Sequence, residues 1–216
     1  MFIKPPKYLL KSIATDSDRI PRIYYEGNSL MSYVFWMRIK WLYLRLRKFC
    51  NKKNNCLDFG GGGGVFLPTL SSFFSNVVCI DLEVNESKKI SKFFNLKNVS
   101  FIEGDIVKET LPEFEFDVII AADVLEHFKD LEPAITNIKK WLKIDGTLFT
   151  SLPTENWLYT VLRKVFRVQK PLDHYHTGYE VETILKKSGF RPIHKSCVPL
   201  YFGFFPLYLI TVWKKI

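Results

Sequence analysis

The fold of this chain is decided by one stretch, which reads Cys56-Leu57-Asp58-Phe59-Gly60-Gly61-Gly62-Gly63-Gly64-Val65-Phe66-Leu67. An apolar run with an acidic residue near its end is followed by five consecutive glycines and then by a second apolar segment. This order predicts a strand, a tight turn and a helix. Because glycine loses more backbone freedom on folding than any other residue, a run of five indicates a backbone that must approach a ligand closely.

Two common phosphate-binding loops can be tested by the spacing of these glycines. The dinucleotide fingerprint requires glycine at its first, third and sixth positions. In each of the three frames the sixth position is apolar, being Val65, Phe66 or Leu67. The P-loop requires a Gly-Lys-Ser/Thr ending, and no lysine follows the run. The pattern that does fit is acidic-x-Gly-x-Gly-x-Gly, formed by Asp58, Gly60, Gly62 and Gly64.

This pattern resembles motif I of the class I S-adenosylmethionine (SAM) methyltransferases, and the resemblance extends over about residues 55–213. Asp81, followed by Leu82, ends the next strand-like run. In this family an acid at this place binds both ribose hydroxyls, which suits a carboxylate because it accepts two O–H bonds at once. The same acid spacing occurs in dinucleotide binders. Asp105 and Ile106 match the family's adenine contacts, in which the acid binds the amino group and the apolar residue packs on the ring.

The segment after the predicted fourth strand carries the sharpest resemblance. It contains Asp123 and the triplet Leu125-Glu126-His127, and a turn Leu-Lys-Ile-Asp-Gly follows at 142–146. Both are similar to motifs of the type 11/UbiE-like subgroup, although that subgroup has Leu-Lys-Pro-Gly-Gly in the turn. The resemblance therefore implies SAM as the cofactor. It implies cofactor contacts for a set of residues that comprises Asp58, Gly60, Gly62, Asp81, Leu82, Asp105, Ile106 and Asp123.

From residue 55 onward strand-like and helix-like segments alternate. The predicted strands are Asn55–Phe59, Val77–Leu82, Val99–Glu103, Phe116–Ala121 and Thr147–Leu152, and the helices are Phe66–Phe74, Glu86–Phe94, Leu131–Leu142 and Val181–Ser188. Two further strand-like runs, Arg191–Tyr201 and Phe205–Trp213, are joined by Phe202-Gly203-Phe204, which is typical of a hairpin. The alternation predicts an α/β fold with a doubly wound, mostly parallel sheet. The resemblance implies the seven-stranded, Rossmann-like methyltransferase sheet, ending in a C-terminal antiparallel hairpin and preceded by a helical N-terminal extension.

Three histidines are candidates for catalysis. His127 is placed just beyond a central strand, at the edge where open α/β sheets bind ligands, and it could also cap or pack a helix start. His174 and His176 belong to an insert that in the family lines the acceptor pocket. A histidine that titrates near pH 7 suits removal of a proton from the acceptor, and the sequence does not rank the three. No metal is predicted, because no third ligand accompanies the His-x-His pair.

The basic character of the chain is concentrated at its N-terminus. Residues 1–56 hold 12 lysines and arginines against 3 acidic residues, whereas the rest of the chain holds 19 of each, so the whole net charge of +9 lies in this segment. We divide the chain into a basic helical lid or extension at 1–54 and a methyltransferase domain at 55–216. A helix is predicted over Leu30–Phe49, with Arg38 and Arg45 on one side and Lys40 and Arg47 on the other.

This charge distribution leaves two roles open for the N-terminal segment. Charges on two sides favour a lid, with Tyr24 and Tyr25 as pocket residues, because a helix that docks on a membrane keeps its charges on one face. The alternative is weak contact with an anionic membrane surface. Nucleic acid is disfavoured as a partner because no RNA-binding module is recognisable. The oligomeric state is left open.

Composition also bears on the cellular compartment. The four cysteines (Cys50, Cys56, Cys79 and Cys197) have neither CxxC nor metal-ligand spacing. No secretory signal is visible, and the uncharged run Val198–Trp213 is too short and too rich in proline and glycine to span a bilayer. These features predict a cytoplasmic protein, with peripheral membrane contact as an alternative.

Together these observations predict transfer of a methyl group from SAM to a small-molecule acceptor, lipid-like or anionic in character. Two alternatives remain at this point. One is a SAM-binding protein without transferase activity. The other is an NAD-dependent oxidoreductase on a similar sheet, which the failed glycine spacing disfavours.

Overall fold

A computed structural model describes residues 1–14, 19–26, 29–113, 115–166, 173–199 and 206–216. In these ranges seven strands occur: β1 (Asn55–Phe59), β2 (Asn76–Asp81), β3 (Val99–Glu103), β4 (Phe116–Ala122), β5 (Leu142–Pro153), β6 (Phe190–Val198) and β7 (Tyr208–Lys215). Seven α-helices accompany them: α1 (Lys7–Ile13), α2 (Ser29–Phe49), α3 (Leu67–Ser71), α4 (Asn85–Phe93), α5 (Glu132–Trp141), α6 (Trp157–Phe166) and α7 (Gly178–Lys187). Two short 3-10 turns cover Arg22–Tyr24 and Leu125–His127.

The seven strands form one sheet in the order β3-β2-β1-β4-β5-β7-β6. The strands from β3 to β5 in this order run parallel, whereas β7 pairs antiparallel with both β5 and β6. The predicted fold class and its antiparallel end are thereby confirmed. The chain order reverses between β1 and β4, and open α/β sheets bind ligands at the carboxyl ends of the strands at such a point.

Alternate residues of β4 explain why helices cover both faces of the sheet. Val118 and Ile120 belong to one apolar cluster, whereas Ile119 and Ala121 belong to another on the opposite face, and all four are buried. The side chains of a strand point alternately to the two faces of the sheet. A central strand that is apolar at every position therefore needs helices packed on both faces. Helix α2 packs into the first cluster and α5 into the second.

Two predicted boundaries shift for identifiable reasons. Helix α7 begins at Gly178 and not at Val181, because Thr177 forms a capping box with Glu180 that satisfies backbone N–H groups at the helix start. Strand β5 begins before Thr147, because Leu142 already pairs with Phe116. The predicted turn at Phe202-Gly203-Phe204 lies outside the described residues.

The charges of helix α2 differ in burial. Arg38 is turned inward and is only 6% exposed. The exposed cations of the helix are Lys40, Arg47 and Lys48, and they fall along one side. Arg38 and the exposed Lys40 and Arg47 do lie on opposite sides of the helix, as predicted, but the side that carries Arg38 is buried. The inner side of α2, with Leu42 and Leu46 fully buried, shares its core cluster with the strands, while the division of the chain at residue 54 stays a prediction.

None of the helices within the described ranges is long and apolar enough to cross a membrane.

Candidate active site

The glycine run forms the loop between β1 and α3, as predicted. Gly60, Gly62 and Gly64 have φ values of +70°, +53° and +75°, which L residues with side chains rarely adopt. The loop is tied to both neighbouring strands. The Gly60 N–H donates to the Ile80 carbonyl at 2.9 Å, and a Cβ on Gly60 would lie 2.2 Å from the Val124 side chain, just after β4.

Asp81 is placed at the end of β2 with its carboxylate facing this loop. The Gly62 N–H donates to its Oδ2 at 2.8 Å, and the Arg19 guanidinium donates to its Oδ1 at 2.6 Å. Asp81 is buried, whereas the neighbouring Leu82 is 58% exposed. The carboxylate that the sequence assigns to the ribose is therefore held in position by the loop and occupied by an arginine of the N-terminal segment.

The same N-terminal segment covers the glycine loop directly. The Gly63 N–H donates to the Arg19 carbonyl at 3.0 Å, and a Cβ on Gly63 would meet the Ile20 side chain at 2.2 Å. Glycine is thus required at residue 63 for the segment to lie on the loop.

Asp58 lies at the carboxyl end of β1 and is almost fully buried. Its Oδ2 has no hydrogen-bond partner among the described residues. Burial, assisted by the negative charge of Asp81, raises the pKa of this carboxyl to about 7. Oδ2 therefore does not fasten the loop through a backbone N–H group of the described residues.

Asp105 and Ile106 follow β3 and lie in unlike environments. The Asp105 carboxylate accepts from the Val107 N–H at 3.1 Å and pairs with Lys108. The hydrogen bond from Lys108 lowers the pKa of Asp105. Ile106 is packed in the core cluster. The Gly104 N–H donates to the Asp81 carbonyl at 3.0 Å, so this turn is fastened to the end of β2.

Asp123 follows β4 in the left-handed region, with φ +53°. Its Oδ1 accepts from the Ser151 hydroxyl at 3.2 Å, and its Oδ2 contacts the buried Arg38 of α2. Strained residues of this kind are typical of functional sites. Two of the carboxylates that the sequence assigns to the cofactor, Asp81 and Asp123, are therefore each paired with an arginine from the N-terminal segment.

Arg38 is enclosed by aromatic rings. Its Nη2 donates to the Tyr24 hydroxyl at 2.6 Å, and its guanidinium lies 5.1 Å and 5.2 Å from the ring centroids of Phe35 and Tyr208. Its Nε has no hydrogen-bond partner among the described residues. Tyr24, predicted as a pocket residue, is buried against Trp36 and reaches the site through Arg38, while Tyr25 is half-buried.

The structure brings His127 and His174 together but not His176. The rings of the first two are perpendicular, with centroids 4.6 Å apart. His127 Nδ1 lies 2.8 Å from Asp173 Oδ2, and His174 Nδ1 lies 3.0 Å from Glu155 Oε1. His176 instead faces the Lys129 backbone carbonyl at 3.4 Å.

The electrostatic surroundings of this pair keep His127 neutral. Burial lowers the pKa of His127, and the Arg19 guanidinium acts in the same direction, while Asp173 partly opposes them. A neutral imidazole at pH 7 can accept a proton or bind a metal ion.

Glu126 completes this group and is fully buried. Neither carboxyl oxygen has a hydrogen-bond partner among the described residues, and burial raises the pKa of the carboxyl to about 8. Its backbone carbonyl accepts from the Tyr175 N–H at 2.9 Å, which ties the loop carrying His174 to the end of β4.

Sequence reasoning did not assign a role to five charged residues of this site: Arg19, Arg38, Glu126, Glu155 and Asp173. Two signals were present, since Glu126 stands inside the Leu-Glu-His triplet and Asp173 directly precedes His174. Nothing local in the sequence marks Arg19 or Glu155.

A shallow cavity of about 150 Å³ lies at the other edge of the sheet, at the amino ends of β4 and β5. Its lining includes Lys52, Asp117, Asp145 and Lys214. None of its lining residues belongs to the candidate active site, so the cavity does not bear on the chemistry of that site.

The sheet order, the glycine loop and the acid after β2 together define a Rossmann-like methyltransferase. Residues 36–195 match a family described as a methyltransferase domain, and the chain belongs to this family. The prediction from the sequence of a class I SAM-dependent methyltransferase is thereby confirmed. The alternative of an NAD-dependent oxidoreductase is not supported.

Individual relatives agree with this classification. The mitochondrial ubiquinone biosynthesis O-methyltransferase of Bos taurus is 33% identical over 124 residues, which cover 52% of this chain and 32% of the relative. The (S)-coclaurine N-methyltransferase of Thalictrum flavum subsp. glaucum is 30% identical over 101 residues, covering 44% and 28%. The chain thus spans about a third of the length of these relatives. The N-methyltransferase NodS from Bradyrhizobium japonicum WM9, solved with S-adenosyl-L-homocysteine, shares the fold with a TM-score of 0.71 at 20% identity over 97% of both chains.

Proposed function

We propose that this chain transfers a methyl group from SAM to a hydroxyl oxygen of a small amphipathic or anionic acceptor. The observation that carries the proposal is the pair His127 and His174, each with Nδ1 within 3.0 Å of a carboxylate, in the segments that follow β4 and β5. Methyl transfer to a hydroxyl releases a proton, and this cluster is the group of titratable side chains placed to handle it.

The cofactor occupies the carboxyl edge of β1, β2 and β3 in this proposal. The backbone of the glycine loop passes beside its methionine part, with Asp58 and Asp123 on either side. Asp81 accepts from both ribose hydroxyls, and Asp105 with Ile106 contacts the adenine. These roles follow the family pattern, and the hydrogen bond from Gly62 to Asp81 supports them by presenting the carboxylate at the loop.

The reaction itself asks chiefly for positioning. A sulfonium is an activated leaving group, so the enzyme contributes proximity and in-line orientation, and the hydroxyl becomes a better nucleophile as it loses its proton. Oxygen is favoured over nitrogen as the acceptor atom because the site joins two imidazoles, of which His127 is held neutral, with carboxyl groups. The relatives do not rank the two atoms, since one named as an O-methyltransferase is 33% identical and one named as an N-methyltransferase is 30% identical.

The character of the acceptor is inferred from the surroundings of Arg38. The Arg38 guanidinium is paired with Asp123, but its Nε has no hydrogen-bond partner among the described residues, so it offers one buried N–H donor among the rings of Tyr24, Phe35 and Tyr208. Such a lining suits a molecule with an apolar body and a polar or anionic group. The N-terminal segment then acts as a lid, since Arg19 and Ile20 cover the loop. All four cysteines are free, which fits a reducing compartment such as the cytoplasm.

The proposal is tested with SAM that carries a deuterated methyl group and with a small-molecule extract. We expect the label in small molecules as methyl ethers, detected by mass spectrometry, and its loss in Asp81→Asn. Asp145→Asn, on an 81% exposed side chain at the other edge of the sheet, is the matched control and should retain transfer. Label in protein or nucleic acid, or SAM binding without any transfer, would contradict the proposal.

A further inference from the structure

We infer that Glu126, His127 and His174 form a binding site for a divalent transition-metal ion, with Zn²⁺ as the ion that these ligands suit best. One donor atom from each of the three lies within 4.8 Å of the others. A tetrahedral zinc ion, with bonds of about 2.0–2.2 Å, holds its ligands roughly 3.4 Å apart. Small side-chain movements of roughly an ångström therefore close the site around an ion.

The burial of Glu126 without hydrogen-bond partners is the observation that points to a bound cation. Its side chain is fully buried, yet both carboxyl oxygens lack hydrogen-bond partners among the described residues. Leaving a buried polar group without a hydrogen-bond partner is unfavourable. A bound cation would satisfy both oxygens at once.

The two histidines are oriented as metal ligands usually are. In metal sites the ring nitrogen that does not bind the ion commonly donates to a carboxylate, which fixes the tautomer and the ring direction. Here Nδ1 of His174 is hydrogen-bonded to Glu155, and Nδ1 of His127 lies 2.8 Å from Asp173 Oδ2 but does not meet the geometry of a hydrogen bond. We therefore assign Nε2 of each ring to the ion.

The charge of the surroundings also favours a cation. The charges of Glu155 and Asp173 both act on Glu126, so that three carboxyl groups share this region. Arg38 is the opposing cation, and its guanidinium is engaged with Asp123 and Tyr24. Two imidazoles and one carboxylate leave a coordination position open, as in catalytic zinc sites. In the proposed reaction an acceptor hydroxyl bound at this position would lose its proton more easily.

Metal binding is measured on the full chain without SAM or acceptor, so its outcome is independent of the proposed methyl transfer. Co²⁺ serves as a spectroscopic probe for the zinc site. We expect one equivalent of Co²⁺ to produce visible d–d bands and Zn²⁺ to displace it. His174→Ala and Glu126→Gln should each weaken binding by more than about tenfold, since even the loss of an outer partner costs about 10–100-fold. Glu155→Gln, which alters such an outer partner, should weaken it by about tenfold.

His194→Ala is the matched control, because His194 lies on β6 and contacts Ser196 at 3.1 Å. Its metal affinity should equal that of the wild type, and circular dichroism confirms that each variant is folded. The inference is overturned if the wild type binds neither ion, or if His174→Ala binds as tightly as His194→Ala. A near-ultraviolet thiolate-to-cobalt band would also overturn it, since the ion would then be on a cysteine.

Discussion

Arg19 donates to the carboxylate that we assign to the ribose of the cofactor. The side chain of Asp81 is 6% exposed and that of Arg19 is 28% exposed, so this ion pair is partly shielded from water. In the proposed function the ribose hydroxyls of the cofactor compete with this guanidinium for Asp81. We therefore expect SAM binding to be coupled to a local movement of the N-terminal segment.

The first prediction concerns this competition. Arg19→Gln should bind SAM about fivefold more tightly, corresponding to about 1 kcal/mol for the exchanged ion pair. Isothermal titration calorimetry measures the change, and Arg22→Gln, at an exposed arginine of the same segment, should bind as the wild type does. Equal or weaker binding by Arg19→Gln would show that Arg19 does not compete with the cofactor.

Asp58 provides a prediction about stability and pH. Its pKa is raised in the folded protein to about 7, so the folded state holds a proton that the unfolded chain releases near pH 4. Stability is thus lost as pH rises from about 4 to about 7 and then levels off. Asp58→Asn should remove this loss and stabilise the protein above pH 7 by up to about 4 kcal/mol, with little gain below pH 4.

The measurement is chemical denaturation of both proteins across this pH range without cofactor. A stability difference that stays constant with pH would mean that Asp58 titrates normally.

The glycine loop functions as one element, because the N–H groups of Gly60 and Gly61 donate to the Ile80 carbonyl and that of Gly62 donates to the Asp81 carboxylate, all at the end of β2. Gly62 is the informative residue. A Cβ there would meet only the Arg19 carbonyl, at 3.4 Å, so the fold has room for a side chain on the side where we place the cofactor.

Gly62→Val should therefore abolish SAM binding while the domain remains folded. The positive φ of +53° adds strain of about 1–2 kcal/mol for an L residue. Gly189→Val controls for this strain, because Gly189 also has a positive φ and a Cβ there would meet only the flexible end of Lys139. Calorimetry with SAM and circular dichroism compare the two. Retained SAM affinity in a folded Gly62→Val protein would show that the loop does not cradle the cofactor.

Helix α2 shows how an element can decide the role of its residues. Its inner side is anchored by Ile39, Leu42 and Leu46 in the main core. This anchoring fixes the rotation of the helix and places Arg38 above Asp123. The charged residue is consequently part of the site, and the outer side keeps the remaining exposed cations.

Across the whole molecule, the basic N-terminal segment bears on membrane contact. The outer side of α2 presents Lys40, Arg47 and Lys48, together with the exposed apolar residues Leu30, Tyr33 and Leu44. Each basic residue near an anionic surface contributes about 1 kcal/mol, and salt screens this attraction.

We expect weak binding to vesicles that contain anionic lipid, lost as ionic strength rises toward about 0.15 M and above. Co-sedimentation measures it. The double variant Arg47→Glu with Lys48→Glu should abolish binding, whereas Lys186→Glu with Lys187→Glu, on the exposed side of α7, should reduce it little. Firm binding that persists in high salt would instead indicate insertion of the apolar residues and favour a membrane-bound acceptor.

The sequence by itself determined the order of the seven strands and of five of the seven described helices, the glycine loop and the acid after β2, whereas α1 and α6 were not predicted. The predicted features depend on residues that are close in the chain. The apolar run before Gly60 makes a buried strand, and the glycines permit the left-handed turn that follows. The antiparallel end of the sheet was likewise predictable, because Arg191–Tyr201 and Phe205–Trp213 are consecutive strand-like runs.

Only the tertiary structure decided which charged groups meet. Glu155 pairs with His174, Arg19 with Asp81 and Arg38 with Asp123. The two partners are 19, 62 and 85 residues apart in the sequence, respectively. Sequence patterns describe the face that a residue presents on its own element, not the element that will lie opposite. The sequence did not identify Glu126 as a candidate metal ligand for the same reason. Its burial and its closeness to His174 arise only when the loop after β5 folds back over the end of β4.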